Sequence, residues 1–243
     1  MYLTTRGIVF RQTKYSDTSL VVKILTEEAG LGSYIIKGAR GPKSRIKSGF
    51  FQPLNLLDLV VNHNEKSELQ HIREVRVAYP YQQIPDDFRK SSILLFVDEL
   101  LYKSIQEQVV NDDLFNFIFN NLVLLDQTNE NPANFHLSFA IHLTRFLGFS
   151  PQGEYRNEST VFNLEEGCFV QTEPLPAENF ISGPACYWFD RFLQTEPGWF
   201  FDLQVPHPFR QLILEKLLRY YHLHLPLTGE FKSHIILHEV LKK

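Results

Sequence analysis

The sequence predicts an α+β protein: a small antiparallel β-barrel of five strands, followed by an all-α helical domain. Short apolar runs, rich in β-branched and aromatic residues and separated by turn formers, fill the first 80 residues. Most of the remaining chain repeats apolar residues at the spacing of a helix. That spacing disappears between residues 150 and 205, where frequent glycines and prolines predict a small irregular insert with some β-structure. The expected domains are therefore 1–80 and 81–243, with 150–205 as an insert in the second.

The five strands leave no room for crossover helices, because they all fall within about 80 residues. A sheet of this kind closes into a small barrel or packs as a sandwich. The five-stranded OB-fold is the natural candidate, and that fold binds single-stranded nucleic acid through one face and its loops. The strands are expected at residues 8–10, 20–25, 34–36, 54–61 and 69–77, with turns at 16–17, 30–32 and 62–65.

The helical domain is expected to begin after the fifth strand. Pro80 and Pro85 stop that strand, and Asp86-Asp87 can cap the helix that follows. Gly148 is expected to end the third helix. The insert should contain a hairpin of residues 160–162 and 168–170 around a turn at 165–167. Helices are expected at residues 91–105, 114–125, 135–146, 187–193, 209–220 and 233–241.

One loop, residues 37–47, concentrates positive charge. Five of its eleven residues are lysine or arginine, none is acidic, and Gly38, Gly41 and Pro42 oppose helix and strand formation. The first 50 residues hold nine cationic and three acidic residues, a net +6, which leaves −10 for the remainder of a chain whose total is −4. This asymmetry indicates a basic module on a more acidic body, and loops of one charge usually meet a partner of the opposite charge.

Several classes of protein are disfavoured by the sequence. No apolar run approaches the ~20 residues of a membrane-spanning helix, and the first residues lack a continuous signal-peptide core, so we expect a cytoplasmic protein without membrane association. The two cysteines, Cys168 and Cys186, do not form a C-x-x-C pair, so no metal site and no cofactor are expected. Hydrolase, metalloprotease and dinucleotide-binding motifs are absent, so we expect no enzymatic activity.

The basic loop and nearby cations predict a binding surface for single-stranded DNA, in which a cationic groove follows the phosphates and aromatic rings stack on bases. Tyr15 and Tyr34 are candidate stacking residues, whereas Phe50 and Phe51 are expected in the barrel core. Arg6 is expected to extend the groove from its strand. The predicted DNA-binding residues are Lys37, Arg40, Lys43, Arg45, Lys47, Arg11, Lys14 and Lys23.

Other functions stay open from the residues alone. The basic surface could contact an acidic patch on a protein, which would make the chain a protein–protein adaptor. An OB-type barrel could also bind RNA rather than DNA. A metal-dependent hydrolase would need a third ligand beside one of the paired carboxylates, such as Asp112-Asp113 or Glu165-Glu166, and none is identifiable.

Several segments resemble the RecO family of bacterial recombination mediators. Lys37-Gly38-Ala39-Arg40 followed by Pro42-Lys43-Ser44-Arg45 is similar to the N-terminal signature of that family. Segments of similar sequence continue through most of the chain and occur at residues 7–10, 25–30, 51–54, 146–151 and 231–233.

The resemblance implies an OB-fold domain, a helical domain and a function that involves no catalysis. Proteins of this family anneal complementary DNA strands, bind RecR, dock on the C-terminal tail of the single-stranded DNA-binding protein, and help RecA to load. It implies DNA contacts at Lys37, Arg40, Lys43 and Arg45. Many members carry a four-cysteine zinc module, whose pattern is missing here, so the corresponding region is expected to be a metal-free remnant.

Overall fold

The computed structural model describes residues 1–39, 46–64, 66–106, 108–171, 177–196 and 200–242. The chain divides into two compact units. The barrel unit comprises Met1–Gln82 and Ile105–Asp126, and the helical unit comprises Gln83–Ser104 and Gln127–Lys243. Within the described parts of the chain, no helix is long and apolar enough to cross a lipid bilayer.

The barrel unit confirms the predicted five-stranded barrel. Four neighbouring strand pairs are antiparallel, and the parallel pair β3–β5 closes the sheet in the order β1-β2-β3-β5-β4. The first strand is long enough to pair with β2 along its second half and with β4 along its first half. The strands are β1 (Tyr2–Lys14), β2 (Leu20–Thr26), β3 (Gly30–Ile36), β4 (Leu56–Asn62) and β5 (Leu69–Tyr79).

Alternate residues of the five strands fill the barrel, as expected for a closed sheet with one buried face. Gly7 allows close packing in the interior, since a Cβ atom there would lie 2.7 Å from Leu59 Cδ1 and 2.9 Å from Ile24 Cγ2. A side chain at position 7 would therefore force the side chains of Leu59 and Ile24 to move. The buried interior residues include Val9, Val22, Ile24, Tyr34, Ile36, Phe51, Leu57, Leu59, Val61 and Ile72.

One helix, α2 (Asp112–Gln127), groups almost entirely with the barrel. Its fully buried carboxylate, Asp126, accepts hydrogen bonds from the Tyr79 hydroxyl at 2.9 Å and from the Gln82 N–H at 2.9 and 3.1 Å. These bonds fix the end of β5 onto the end of α2. The barrel unit thus extends beyond residues 1–80 by one helix, and the domain boundaries stay a prediction.

The helical unit contains the remaining helices and a small sheet. Asp87 caps the first helix as predicted, because its Oδ1 accepts from the backbone N–H groups of Arg89 and Lys90 at 2.8 and 3.3 Å. The helices are α1 (Phe88–Ser104), α3 (Phe135–Leu143), α4 (Gly183–Gln194), α5 (His207–His224) and α6 (Ser233–Val240). The expected hairpin forms β6 (Val161–Asn163) and β7 (Cys168–Val170), and an unforeseen β8 (Phe180–Ile181) pairs with the other edge of β6.

Two local predictions are wrong. Residues 30–32 are not a turn but the start of β3, because the turn lies at residues 27–29 and Gly30 follows it with a φ of 66°. Helix α3 ends at Leu143, earlier than expected, and tighter turns with three-residue hydrogen-bond spacing continue to Gly148. In both places the apolar pattern is correct, but backbone hydrogen bonding determines where the element ends.

Glu99 of α1 holds the N-terminus of α6. Its carboxylate accepts from the N–H groups of Lys232 and Ser233 at 2.9 and 2.8 Å, and from the Ser233 hydroxyl. These bonds satisfy donors that a helix N-terminus leaves unpaired. Burial alone would raise the pKa of Glu99, but the hydrogen bonds from Ser233 and Lys232 outweigh it, so the pKa lies below its usual value.

A lowered pKa makes this contact sensitive to acid. Its contribution to stability should be complete above the unfolded glutamate pKa of about 4.3 and be lost as the pH falls through the lower folded value. Glu99→Gln should therefore flatten the fall in the urea midpoint between about pH 5 and pH 3. Tryptophan fluorescence suits this measurement, because Trp188 and Trp199 both belong to the helical unit. Glu215→Gln, at an exposed position of α5, is the control; an equally steep profile in Glu99→Gln would contradict the role.

Candidate nucleic-acid interface

A β-bulge in β1 brings two predicted DNA-binding residues together. The pairing of β1 with β2 shifts between Val9 and Arg11, so that Val9 lies opposite Ile24 and Arg11 lies opposite Lys23. Val9 and Ile24 point into the barrel. Arg11 lies two residues after Val9, so in a regular strand without the bulge it would also point inward. The extra residue instead places Arg11 on the outer face opposite Lys23, so that two cationic side chains occupy adjacent outward positions.

Lys14 and Lys37 lie at one end of the barrel. Lys14, the last residue of β1, pairs with Leu20, and Leu20 pairs with Ile36, the last residue of β3. Lys37 follows Ile36 directly, and both lysines are exposed. Three residues of strand separate this end from Arg11, roughly 10 Å at 3.3 Å per residue. The cations of β1, β2 and β3 therefore share one side and one end of the barrel.

The two ends of the basic loop are anchored in the barrel core. Ala39 is buried among the interior residues, and Ile46 packs against the same cluster. Lys47 is exposed and precedes a short 3₁₀ turn, Ser48–Phe51, whose Phe51 is fully buried. Three predicted residues, Arg40, Lys43 and Arg45, lie outside the described residues, so their DNA contacts stay a prediction, as they do for the other five cations.

Arg6 is not part of the basic surface, contrary to expectation. Its guanidinium donates to both carboxylate oxygens of Glu27, at 2.8 and 2.5 Å, and to Asn116 Oδ1 at 2.9 Å. It also lies over the rings of Phe115 and Phe119, 5.2 and 4.8 Å from their centroids. The hydrogen bonds from Arg6 lower the pKa of Glu27. Arg6 therefore joins α2 to the barrel, and its charge is paired with that of Glu27.

The candidate stacking residues divide between core and surface. Tyr34 is only 1% exposed and lies inside the barrel, where burial raises its pKa, so it cannot stack on a base. Tyr15 is 65% exposed and directly follows Lys14 in the sequence, so it stays available as a stacking residue. Phe51 is in the core and Phe50 packs against it, as expected.

Sequence reasoning missed Arg73 and its neighbour His71 on β5. His71 and Arg73 are exposed, and they flank the interior residue Ile72. Since β3 pairs with β5, His71 lies opposite Ile35, next to the strand that leads to Lys37. The alternation of polar and apolar residues at 71–73 was visible in the sequence, but the parallel pairing that brings β5 beside β3 was not.

The described residues of the insert do not group ligands for a zinc ion. Cys186 is fully buried, and burial raises the pKa of its thiol to about 12. Cys168 Sγ lies 3.6 Å from a Glu166 oxygen. The pKa of the Cys168 thiol is also raised, mainly by burial and further by Glu166. Among the residues that the structure describes, no three histidine, cysteine or acidic side chains are grouped to hold a metal.

Comparisons with known proteins agree with this architecture. The model of the family "Recombination protein O N terminal" matches residues 1–81, and that of "Recombination protein O C terminal" matches residues 85–233. A DNA repair protein RecO of Azobacteroides pseudotrichonymphae is 33% identical over 240 residues, and one of Flavobacterium psychrophilum is 33% identical over 245 residues; each alignment covers 99% of both chains. A third, of Phocaeicola vulgatus, is 36% identical over 175 residues, 72% of this chain and 73% of the relative. This chain therefore belongs to the RecO family of DNA repair and recombination proteins.

Proposed function

We propose that this protein is a recombination mediator that binds single-stranded DNA through its barrel unit, anneals complementary strands and, with RecR, helps to load RecA on DNA coated by single-stranded DNA-binding protein. The family supports the pathway. The structural observation that carries the DNA-binding part is the placement of Arg11 and Lys23 on adjacent outward positions, with Lys14 and Lys37 at the adjoining end of the barrel.

The arrangement suits annealing because its cations would contact the phosphates rather than the bases. Cations that neutralise phosphates remove the repulsion that keeps two strands apart, while contacts to the backbone leave base edges available for pairing. Such a surface needs no catalytic group, and the protein acts in the cytoplasm without turnover of a substrate. Strand recognition of this kind is independent of sequence.

A cleft in the helical unit supports the proposal that this unit recruits the acidic, partly apolar tail of single-stranded DNA-binding protein. The cleft encloses about 1060 Å³ beside α5 and α6, and its apolar lining includes Leu214, Leu218 and Leu237. Arg210, at its edge, donates to the carbonyls of Val205 and Leu241, and no carboxylate of the described residues lies within ion-pair distance of it. A cleft with an apolar lining and a cation at Arg210 suits an acidic, apolar peptide whose carboxylates lie away from Glu215 and Glu230, which also line the cleft.

The salt dependence of oligonucleotide binding tests the proposed function. Neutralising about five phosphates should give a slope of log affinity against log salt concentration near −3.5, at roughly 0.7 per contact. Fluorescence anisotropy of a labelled oligothymidine, titrated with the full chain at several salt concentrations, measures this slope. A slope close to zero would contradict a phosphate-binding surface.

Competition separates the proposed function from its two alternatives. An excess of unlabelled RNA of the same length should displace the labelled DNA poorly if the protein is a DNA mediator, and fully if it is an RNA-binding protein. A protein–protein adaptor should bind neither oligonucleotide at physiological salt. Acceleration of annealing between complementary oligonucleotides then tests the mediator activity itself.

A further inference from the structure

Tyr2 and Arg73 form an exposed stack on the outside of the barrel. The Arg73 guanidinium carbon lies 4.6 Å from the centroid of the Tyr2 ring. Tyr2 is 61% exposed despite this contact, so much of the ring faces solvent. The Arg73 side chain is 57% exposed, and its nearest carboxylate, that of Glu74, is 4.0 Å away and itself 70% exposed. The pair therefore presents an aromatic ring and a cation to solvent together.

Strand register places this stack next to the basic loop. Tyr2 pairs with Asn62, and Asn62 pairs with His71, which lies opposite Ile35 of β3. Lys37 lies two residues after Ile35, and Arg73 lies two residues after His71. Because β3 and β5 run parallel, both residues lie in the same direction from the Ile35–His71 pair. The Tyr2–Arg73 stack is thus continuous with the end of the barrel that carries Lys37.

The chemistry of the stack matches a nucleobase. Exposing a tyrosine ring forgoes the favourable burial of its apolar surface, and solvent-facing aromatic rings beside cations are the platforms on which bases of single-stranded nucleic acid stack. A guanidinium lying on one side of a ring fixes the ring orientation through a cation–π contact. A base can then stack on the exposed ring while the guanidinium remains near the adjacent phosphate.

We propose that Tyr2 and Arg73 form a stacking platform for one base of single-stranded DNA, next to the cations that hold its phosphates. This inference rests on the proposed DNA binding and assigns the aromatic part of that interface. It differs from the sequence-based prediction, which named Tyr15 and Tyr34 and no residue of β5. A strand that follows the platform would pass from Lys37 over the outer faces of β5, β4 and β1.

Affinity and a crosslink together test the platform. Tyr2→Ala should weaken binding of a labelled oligothymidine by roughly 5- to 100-fold, the range for loss of one stacked base, with the salt slope unchanged because no charge is removed. Tyr2→Phe keeps the ring and should bind within about twofold of the parent. Tyr187→Ala, at an exposed tyrosine of the helical unit, controls for loss of an arbitrary aromatic residue. All variants carry any tag at the C-terminus, so that no added residues lie near Tyr2.

A photocrosslink supplies the second readout. An oligothymidine containing one 5-iododeoxyuridine, irradiated with the full chain, should crosslink to the N-terminal peptide that contains Tyr2, and Arg73→Ala should reduce that yield. If the parent binds DNA with the expected salt slope but Tyr2→Ala binds equally well, or the crosslink maps to other peptides only, the platform is wrong and the proposed function stands. If the parent fails to bind single-stranded DNA, the proposed function itself is wrong and the platform falls with it.

Discussion

Reversing Arg11, Lys23 and Lys37 together to glutamate is expected to weaken the binding of single-stranded DNA by at least ~100-fold at about 0.1 M salt. Each lost phosphate contact removes a salt exponent of roughly 0.7, which is about a factor of five at this concentration, and three contacts multiply. Repulsion between the new carboxylates and phosphates adds to the loss. Anisotropy titration of a labelled oligothymidine measures the affinity. The slope of log affinity against log salt concentration should become shallower, from near −3.5 to about −1.5.

The control variant changes the same amount of charge elsewhere. Arg145, Arg156 and Arg191 are exposed residues of the helical unit, and reversing all three should alter DNA affinity by less than about threefold. Circular dichroism should report folded protein in both variants, because substitutions at exposed positions cost little stability. Equal losses in the two triple variants would show that total charge, rather than the barrel surface, determines the binding.

Removing the Asp126 carboxylate is expected to destabilise the barrel unit by about 2 to 4 kcal/mol. In Asp126→Ala the Tyr79 hydroxyl and the Gln82 N–H lose their acceptor, and a buried donor without a partner costs about 1 to 3 kcal/mol. The lost attachment of α2 adds to this. Urea unfolding followed by far-ultraviolet circular dichroism measures the effect, and the midpoint of the barrel transition should fall.

A conservative substitution checks the cause. Asp126→Asn retains one acceptor oxygen and the shape of the side chain, so its cost should be about half or less of the alanine variant's cost. Tryptophan fluorescence gives the helical unit its own signal, since both tryptophans belong to that unit. A difference of 0.1 M in the urea midpoint corresponds to about 0.2 kcal/mol at a typical slope. If circular dichroism gives Asp126→Ala a midpoint within about 0.1 M of the parent's midpoint, a structural role of the carboxylate is contradicted.

The barrel was predictable because it depends on local pattern. Runs such as residues 20–25 and 34–36 alternate or cluster apolar residues between turn formers, and the closed sheet follows from their number and spacing. The parallel pairing of β3 with β5 is a long-range contact, which no local pattern specifies. The positions of His71 and Arg73 beside the basic loop depend on that pairing and were therefore missed.

The site was predictable in composition but not in geometry. Charge counting identified Arg11 and Lys23, yet strict alternation from the buried Val9 would have turned Arg11 into the interior; the bulge reverses this. Arg6 and Tyr34 illustrate the opposite failure. Residue type makes Arg6 and Tyr34 plausible contacts to DNA. Tertiary contacts instead pair Arg6 with Glu27 and enclose Tyr34 in the barrel core.

The parallel closure between β3 and β5 also limits how this unit can meet other proteins. An open sheet offers a row of unpaired amides and carbonyls that an incoming extended peptide can extend as one more strand. The described strands of the barrel form a closed ring, but the β3–β5 pairing covers only Ser33–Ile35 and Leu69–His71, so β5 beyond His71 pairs with β4 alone. A protein that binds the fully paired part of the wall must therefore recognise side chains and loops, and on the cationic side it would compete with the proposed DNA strand for the same groups.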